Sequence, residues 1–432
     1  MSSLYCPLQA AYEKSPSFIA IKEGSFLVTY ESLWKKMLRF ASFLQKDPHK
    51  IYSLKIRAAT WEVIACIFAA YYAGKSLFLP NVHEPALFIK KIEEKLSAKQ
   101  ISTFSFSSSK RVVFQGEKGS LYLMTSGSSH EPKIVILPFS SLFYNALSCT
   151  EKLQIKENDQ YLLSLPLFHV SGLSILFRTF LQRATLVLLQ EKKDLYSISG
   201  ITHVSMVPTQ LYRLLQSSSR QLASYKNFLK ALLVGGAFCS YSLYEKAKDA
   251  GLPIYLSYGL SEMASQVFMT PNPVWKENNV YLGFSSQTQE VKLRQGELLL
   301  KGKNSFKGYF ERPSPFTLDG WYPTKDLALF DPEYGFAILG RKDRMFISMG
   351  ENVYPEEIER VILQIPGVIK ARVLPKKEEE KGTLPIAYID YENSLEHFDF
   401  ISFLKERLAP YKIPQKFMRW EENLKGKTKL DF

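Results

Sequence analysis

Short apolar runs alternate with helix-length amphipathic stretches through the first part of the chain, and this alternation limits the fold most. Residues 30–44, 61–72 and 86–96 repeat apolar side chains at helical spacing, and short runs such as 76–79 separate them. Parallel strands need a crossover, usually a helix, so the pattern predicts layered α/β architecture. The same units recur in the middle of the chain. Residues 184–189 read as a buried strand, 208–216 as a helix, and 231–234 as a strand that ends in Gly235-Gly236. Ligands approach the backbone at the C-terminal ends of strands in open α/β sheets, which makes Gly235 and Gly236 candidate contacts.

A chain of 432 residues is too long for one ordinary core, so two or three domains are expected. From about residue 283 to 339 the texture changes to short strands and turns (297–300, 307–310, 335–339), which predicts a small β-rich subdomain. The charged stretch Arg341-Lys342-Asp343-Arg344 follows. A compact α+β tail comes next, with helix 355–365, strands 369–374 and 386–391, and helix 398–408. The expected class is therefore α/β, with a large N-terminal domain over 1–340, a linker at 341–344 and a small C-terminal domain over 345–432.

The net charge of +13 calls for an anionic partner or a solvated basic surface. Most basic residues stand beside acids, as in Lys376-Lys377-Glu378-Glu379-Glu380-Lys381, and no dense basic block is interleaved with aromatics. Local anion sites are expected, and nucleic-acid binding is not. The four cysteines are far apart and form no CxxC, so neither a disulfide framework nor a zinc site is expected and a reducing cytoplasm fits. No secretory leader is read at the N-terminus. The most apolar stretch, 61–74, contains Glu62 and is too short to span a bilayer, so it reads as a buried helix.

Between two apolar runs lies Thr125-Ser126-Gly127-Ser128-Ser129-His130-Glu131-Pro132-Lys133. Hydroxyls, backbone N–H groups and one ammonium are what a triphosphate needs. A polar hairpin turn beside a lysine reads equally well from composition alone. It is not a Walker A loop, because the β-branched run after Lys133 continues as a strand rather than a helix. This stretch resembles the signature loop of the adenylate-forming superfamily of acyl-CoA synthetases, peptide-synthetase adenylation domains and luciferases. His130 and Ile134 replace two of its glycines.

Further segments resemble that superfamily in the expected order. Tyr258-Gly259-Leu260-Ser261-Glu262 is similar to Y-G-x-T-E. The resemblance implies that Tyr258 stacks on adenine, Ser261 meets the phosphates and Glu262 helps hold Mg²⁺. Gly320-Trp321-Tyr322-Pro323-Thr324-Lys325-Asp326 is similar to G-W-[FY]-x-T-G-D, with Asp326 on the ribose hydroxyls. Lys325 stands where glycine is expected, either adding a cation near the nucleotide or merely replacing a turn residue. The run from Gly340 to Glu359 matches the longest signature. It implies Arg341 on ribose or phosphate, Asp343 at an interdomain hinge and Gly350 on the loop facing the thiol tunnel. Near the end, Gly426-Lys427 resembles the pair that carries the adenylation lysine, although a solvated basic tail reads there too.

The resemblance implies a two-step ligase that uses ATP, Mg²⁺ and coenzyme A, with a mobile small domain, and it leaves a homodimer open. Thr125, Ser126, Gly127, Ser128, Ser129 and Lys133 would cradle phosphate. Lys133, Lys427 and Glu262 would carry the chemistry. The segment Pro166-Leu167-Phe168-His169-Val170-Ser171-Gly172 and residues 207–211 look like o-succinylbenzoate–CoA ligases of menaquinone synthesis. His169 and Ser171 would line the path of the acid, and Arg213 would meet a second carboxylate. His169 as a core histidine and Arg213 as a solvent-facing side chain are the bland readings. A fatty- or aryl-acid ligase, a carrier-protein adenylation domain, and a nucleotide-binding protein without turnover remain alternatives.

Overall fold

The computed structural model describes residues 6–101, 112–115, 118–125, 132–189, 191, 195, 198–349, 351–378 and 382–420. The predicted alternation appears as two mixed sheets of eight and six strands with helices packed against them. In the larger sheet, the strands Ile254–Leu260, Ala231–Val234, His203–Met206, Gln160–Leu163, Thr185–Leu188 and Ile19–Glu23 lie side by side and run parallel. Antiparallel strands Ser265–Thr270 and Phe26–Thr29 close its two edges. The second sheet places Lys133–Pro138, Ser120–Thr125, Ser76–Leu79 and Ile51–Ser53 in that order.

The apolar stretch containing Glu62 folds as the buried helix Trp61–Ala73. Thr60 caps it by accepting from the Val63 amide, and Gly74 ends it in the left-handed conformation. It packs on helix Tyr30–Lys46 in the core that the two sheets share. Among the described residues no helix is long and apolar enough to cross a membrane. All four cysteines are buried and unpaired.

The β-rich region begins earlier than its sequence texture suggests. Its six-stranded antiparallel sheet orders Val274–Lys276, Asn279–Tyr281, Gly335–Arg341, Tyr322–Asp331, Glu297–Gly302 and Gln289–Arg294. The expected strand at 307–310 does not belong to it. Gly308–Tyr309 instead pairs with Lys133–Pro138 at the edge of the second sheet. Sequence spacing sees a strand there but not its partner, because pairing is decided by the path of the chain back across the molecule.

The small C-terminal domain has a core of its own, built from residues such as Val353, Ile358, Ile362, Val373, Ile389, Phe400 and Leu404. Its helix Pro355–Ile362 lies on the sheet Val368–Glu378, Gly382–Tyr391 and Lys416–Arg419. Polar contacts tie it to the large domain. The buried Arg360 donates to the carbonyls of Ile338 and Leu339 at 3.0 and 2.8 Å, and the Tyr212 hydroxyl donates to Glu392 at 2.7 Å.

Helix Val170–Leu181 starts tightly against the preceding turn. A Cβ on Gly172 would lie 2.2 Å from the Pro166 carbonyl oxygen, closer than atoms can approach. Gly172→Ala therefore forces the helix start away from residues 165–166 and should lower unfolding free energy by about 2 kcal/mol in urea denaturation. An unchanged midpoint and slope would contradict this close packing.

Candidate active site

Several strand ends converge on one cavity of about 1040 Å³ between the two domains. Thr125 and Lys133 face each other across the hairpin that closes the predicted loop, and the Thr125 hydroxyl donates to the Lys133 carbonyl at 3.3 Å. A strand, not a helix, follows Lys133, as its β-branched run requires. Ser126, Gly127, Ser128 and Ser129 lie outside the described residues, as do Gly350 and Lys427.

The Lys133 ammonium sits 5.0 Å from the centre of the Tyr309 ring. Burial first, and then the positive charges of Lys325 and Arg312, hold its pKa below the ordinary lysine value. Tyr309 is a residue that sequence reasoning missed. Its hydroxyl donates to Glu262 Oε1 at 2.6 Å and lies 3.0 Å from the Tyr322 hydroxyl. The only signal for it is the register of a two-residue strand that places it opposite Val135.

Glu262 follows strand Ile254–Leu260 in the 3-10 turn Ser261–Met263, so Gly259, Ser261 and Glu262 all line the cavity. Tyr258 stacks on its cross-strand neighbour Phe268, with ring centres 5.8 Å apart. Its hydroxyl donates to Asp326 Oδ2. Gly236 lines the cavity, while Gly235 packs against Ser257 behind it.

Asp326 and Arg341 are register partners in the β-rich sheet, and Arg341 Nη1 donates to Asp326 Oδ1 at 3.2 Å. Arg341 also forks onto both oxygens of Asp343 at 3.1 and 3.0 Å. Burial works against the guanidinium charge, but these hydrogen bonds and the two carboxylates outweigh it and raise its pKa. Asp326 is 7% exposed. Burial raises its pKa, and Arg341 and the Tyr258 hydroxyl counter only part of that rise.

The cavity is lined by six cations (Lys133, Arg312, Lys325, Arg341, Arg344, Arg372) against three acids (Glu262, Asp326, Asp343). The walls therefore favour an anion. Glu262 uses one oxygen on Tyr309 and has no partner for the other among the described residues, an arrangement that suits a cation held mainly by phosphate.

The acyl candidates lie elsewhere. His169, Ser171 and Arg213 are not among the residues that line this cavity. His169 is the N-cap of helix Val170–Leu181 and is exposed as a whole residue. Packing around its ring, including Phe168 at 4.7 Å, and then the charge of His83 hold its pKa below the ordinary value. The core reading of His169 is thus not what the structure has. Ser171 is half-buried, and Arg213 is exposed near the end of helix Pro208–Leu215.

A family model described as AMP-binding enzyme matches residues 88–310. The chain belongs to the AMP-binding enzyme family. The 2-succinylbenzoate–CoA ligase of Bacillus subtilis (strain 168) is 33% identical over 317 residues, which cover 68% of this chain. That match spans 64% of the relative's own length, less than two-thirds of it. The o-succinylbenzoate coenzyme A synthetase from Bacillus subtilis in complex with ATP and magnesium ion superposes with a TM-score of 0.81 at 28% identity, covering 96% of this chain and 95% of that one. The same enzyme in complex with the acyl-adenylate intermediate OSB-AMP gives 0.80 at 27% identity over 96% and 94%. The two-domain fold of this chain is that of its relatives.

Because the folded pKa of Asp326 lies above the carboxylate value of 3.8, the native state holds its proton to higher pH than the unfolded chain does. This site therefore loses stability as pH rises from 3.8 through the folded pKa. Asp326→Asn removes the effect. Its unfolding free energy relative to the parent should increase between pH 4 and pH 7 in matched denaturation curves, and a parallel pH dependence of the two proteins would contradict it.

Proposed function

We propose that this chain is an ATP-dependent carboxylic acid–CoA ligase that works through an acyl-adenylate, and that its acid is o-succinylbenzoate. The observation that carries the reading is the cation-lined cavity around the Asp326–Arg341 pair, at the strand ends where the family's nucleotide motifs stand. The relatives' names support the acid and the thiol.

In this reading the ribose hydroxyls donate to Asp326, and Arg341 orients that carboxylate while facing the phosphates. A carboxylate oxygen of the acid attacks the α-phosphorus, the bond to the β-phosphate oxygen breaks, and pyrophosphate leaves. An anion is attacking a polyanion, so catalysis depends on placing positive charge where charge gathers. Lys133 supplies it from the hairpin, and Lys427 supplies it from the small domain. A magnesium ion bound at Glu262 would neutralise further charge on the phosphates. In the second step the thiol of coenzyme A releases its proton to solvent and attacks the acyl carbon, the bond from that carbon to the phosphate oxygen breaks, and AMP leaves.

We read residues 1–340 and 345–432 as bodies joined by a hinge at 341–344, with Asp343 as its pivot. The Arg341–Asp343 fork fixes one setting of that hinge. Rotation about it would withdraw Lys427 and present Gly350 to the thiol. His169 and Ser171 would border the acid, and Arg213 would meet its second carboxylate.

ATP–pyrophosphate exchange without thiol, run over a carboxylate panel, tests the proposal. Exchange should require o-succinylbenzoate and fail with analogues that lack the second carboxylate, while failure of exchange with every acid in the panel would refute the ligase reading. Lys427→Ala should reduce exchange by roughly a hundredfold or more, as loss of a preorganised charge does. It should leave thiolysis of supplied acyl-adenylate within a few-fold, and equal loss in both steps would overturn the two-face assignment.

A further inference from the structure

Lys325 occupies a backbone conformation that favours glycine. Its φ is +65°, within the left-handed region where a Cβ is disfavoured, and the family motif has glycine there. Its backbone offers a reason for the turn, since the Lys325 amide donates to Glu297 Oε1 at 3.2 Å. That bond needs no side chain. The ammonium makes no hydrogen bond or ion pair with any described residue. The nearby acids are committed elsewhere. Asp326 is held by Tyr258 and Arg341, and the other oxygen of Glu297 takes Lys342 at 3.0 Å.

The side chain nevertheless lines the central cavity. Its charge is the largest of those acting on Lys133, second only to burial in pulling that lysine's pKa down. Two ammonium groups lining one cavity repel each other unless an anion lies between them. Strain of this kind persists where the side chain has a task.

We propose that the Lys325 ammonium binds the phosphate chain of the nucleotide together with Lys133, on the pyrophosphate side. This rests on the reading of the cavity as the ATP site. The ligand class is a nucleoside triphosphate or free pyrophosphate, and the contact is a charge-assisted hydrogen bond.

Calorimetric titration of the full chain with inorganic pyrophosphate, Mg-ATP and AMP tests it without requiring turnover. Lys325→Gly relaxes the backbone and removes the charge, Lys325→Met removes only the charge, and Lys325→Arg keeps it. The first two should weaken pyrophosphate and ATP binding by about tenfold, and the arginine variant should stay within about threefold. AMP, which lacks the β- and γ-phosphates, should bind all four proteins alike. The melting temperature of Lys325→Gly should equal or exceed that of the parent. Parent-like pyrophosphate binding by Lys325→Gly and Lys325→Met would overturn the proposal, as would equal losses for AMP and pyrophosphate. A parent that binds neither ATP nor AMP would instead remove the nucleotide reading beneath it.

Discussion

A buried carboxylate shared by a guanidinium and a phenol holds the candidate site together. Asp326 sits in the antiparallel sheet opposite Arg341, and Tyr258 reaches it from the next-to-edge strand of the larger mixed sheet. Burying that charge is costly unless its lone pairs are met, and breaking a buried pair leaves the remaining charge uncompensated. The arrangement therefore fixes the relative positions of two sheets. Through Arg341 it also holds Asp343, just past strand Gly335–Arg341 of the antiparallel sheet.

The charges around this knot follow from it. With Asp326 and Asp343 engaged by Arg341, and Arg344 by Glu356 and Glu359, Lys133 and Lys325 line the cavity without an ion pair to any described residue. Lys133 has its ammonium over the Tyr309 ring and its proton affinity lowered by burial and by like charges. Such a cation is worth more to a transition state that gathers negative charge than the same cation in water. Tyr309 joins the halves of the site, since one side chain touches both Lys133 of the hairpin and Glu262.

Much of this was legible in the sequence because it is local. The loop before Lys133, the turn with Glu262, and the Asp326 and Arg341 segments each keep their spacing within a few residues, and Thr125, Lys133, Ser261, Glu262, Asp326 and Arg341 from them line one cavity, whereas Tyr258 does not. Alternation foretold the mixed sheets for the same reason. What escaped depends on chain path. Tyr309 belongs to a strand whose partner is far away in sequence. Arg178, fully buried and held by Tyr161, Ser174 and Gln266, has little local signature because only Ser174 shares its helix and the other two partners come from distant strands. Element ends also moved. The helix expected over 355–365 stops at Ile362, and the strand expected over 369–374 runs from Val368 to Glu378 along its long antiparallel partner. The acyl side was the least legible, because the exposure of His169 and Arg213 is set by packing that no motif encodes.

The central claim is that nucleotide cleavage in this cavity occurs between the α- and β-phosphates and leaves the acid esterified to AMP. A single-turnover reaction with ATP labelled on the α-phosphorus, o-succinylbenzoate, magnesium and no thiol measures that directly. The account predicts pyrophosphate and a protein-bound acyl-AMP in equal amounts, with AMP released when coenzyme A is added. Formation of ADP and inorganic phosphate, or no cleavage of ATP at all, would contradict it.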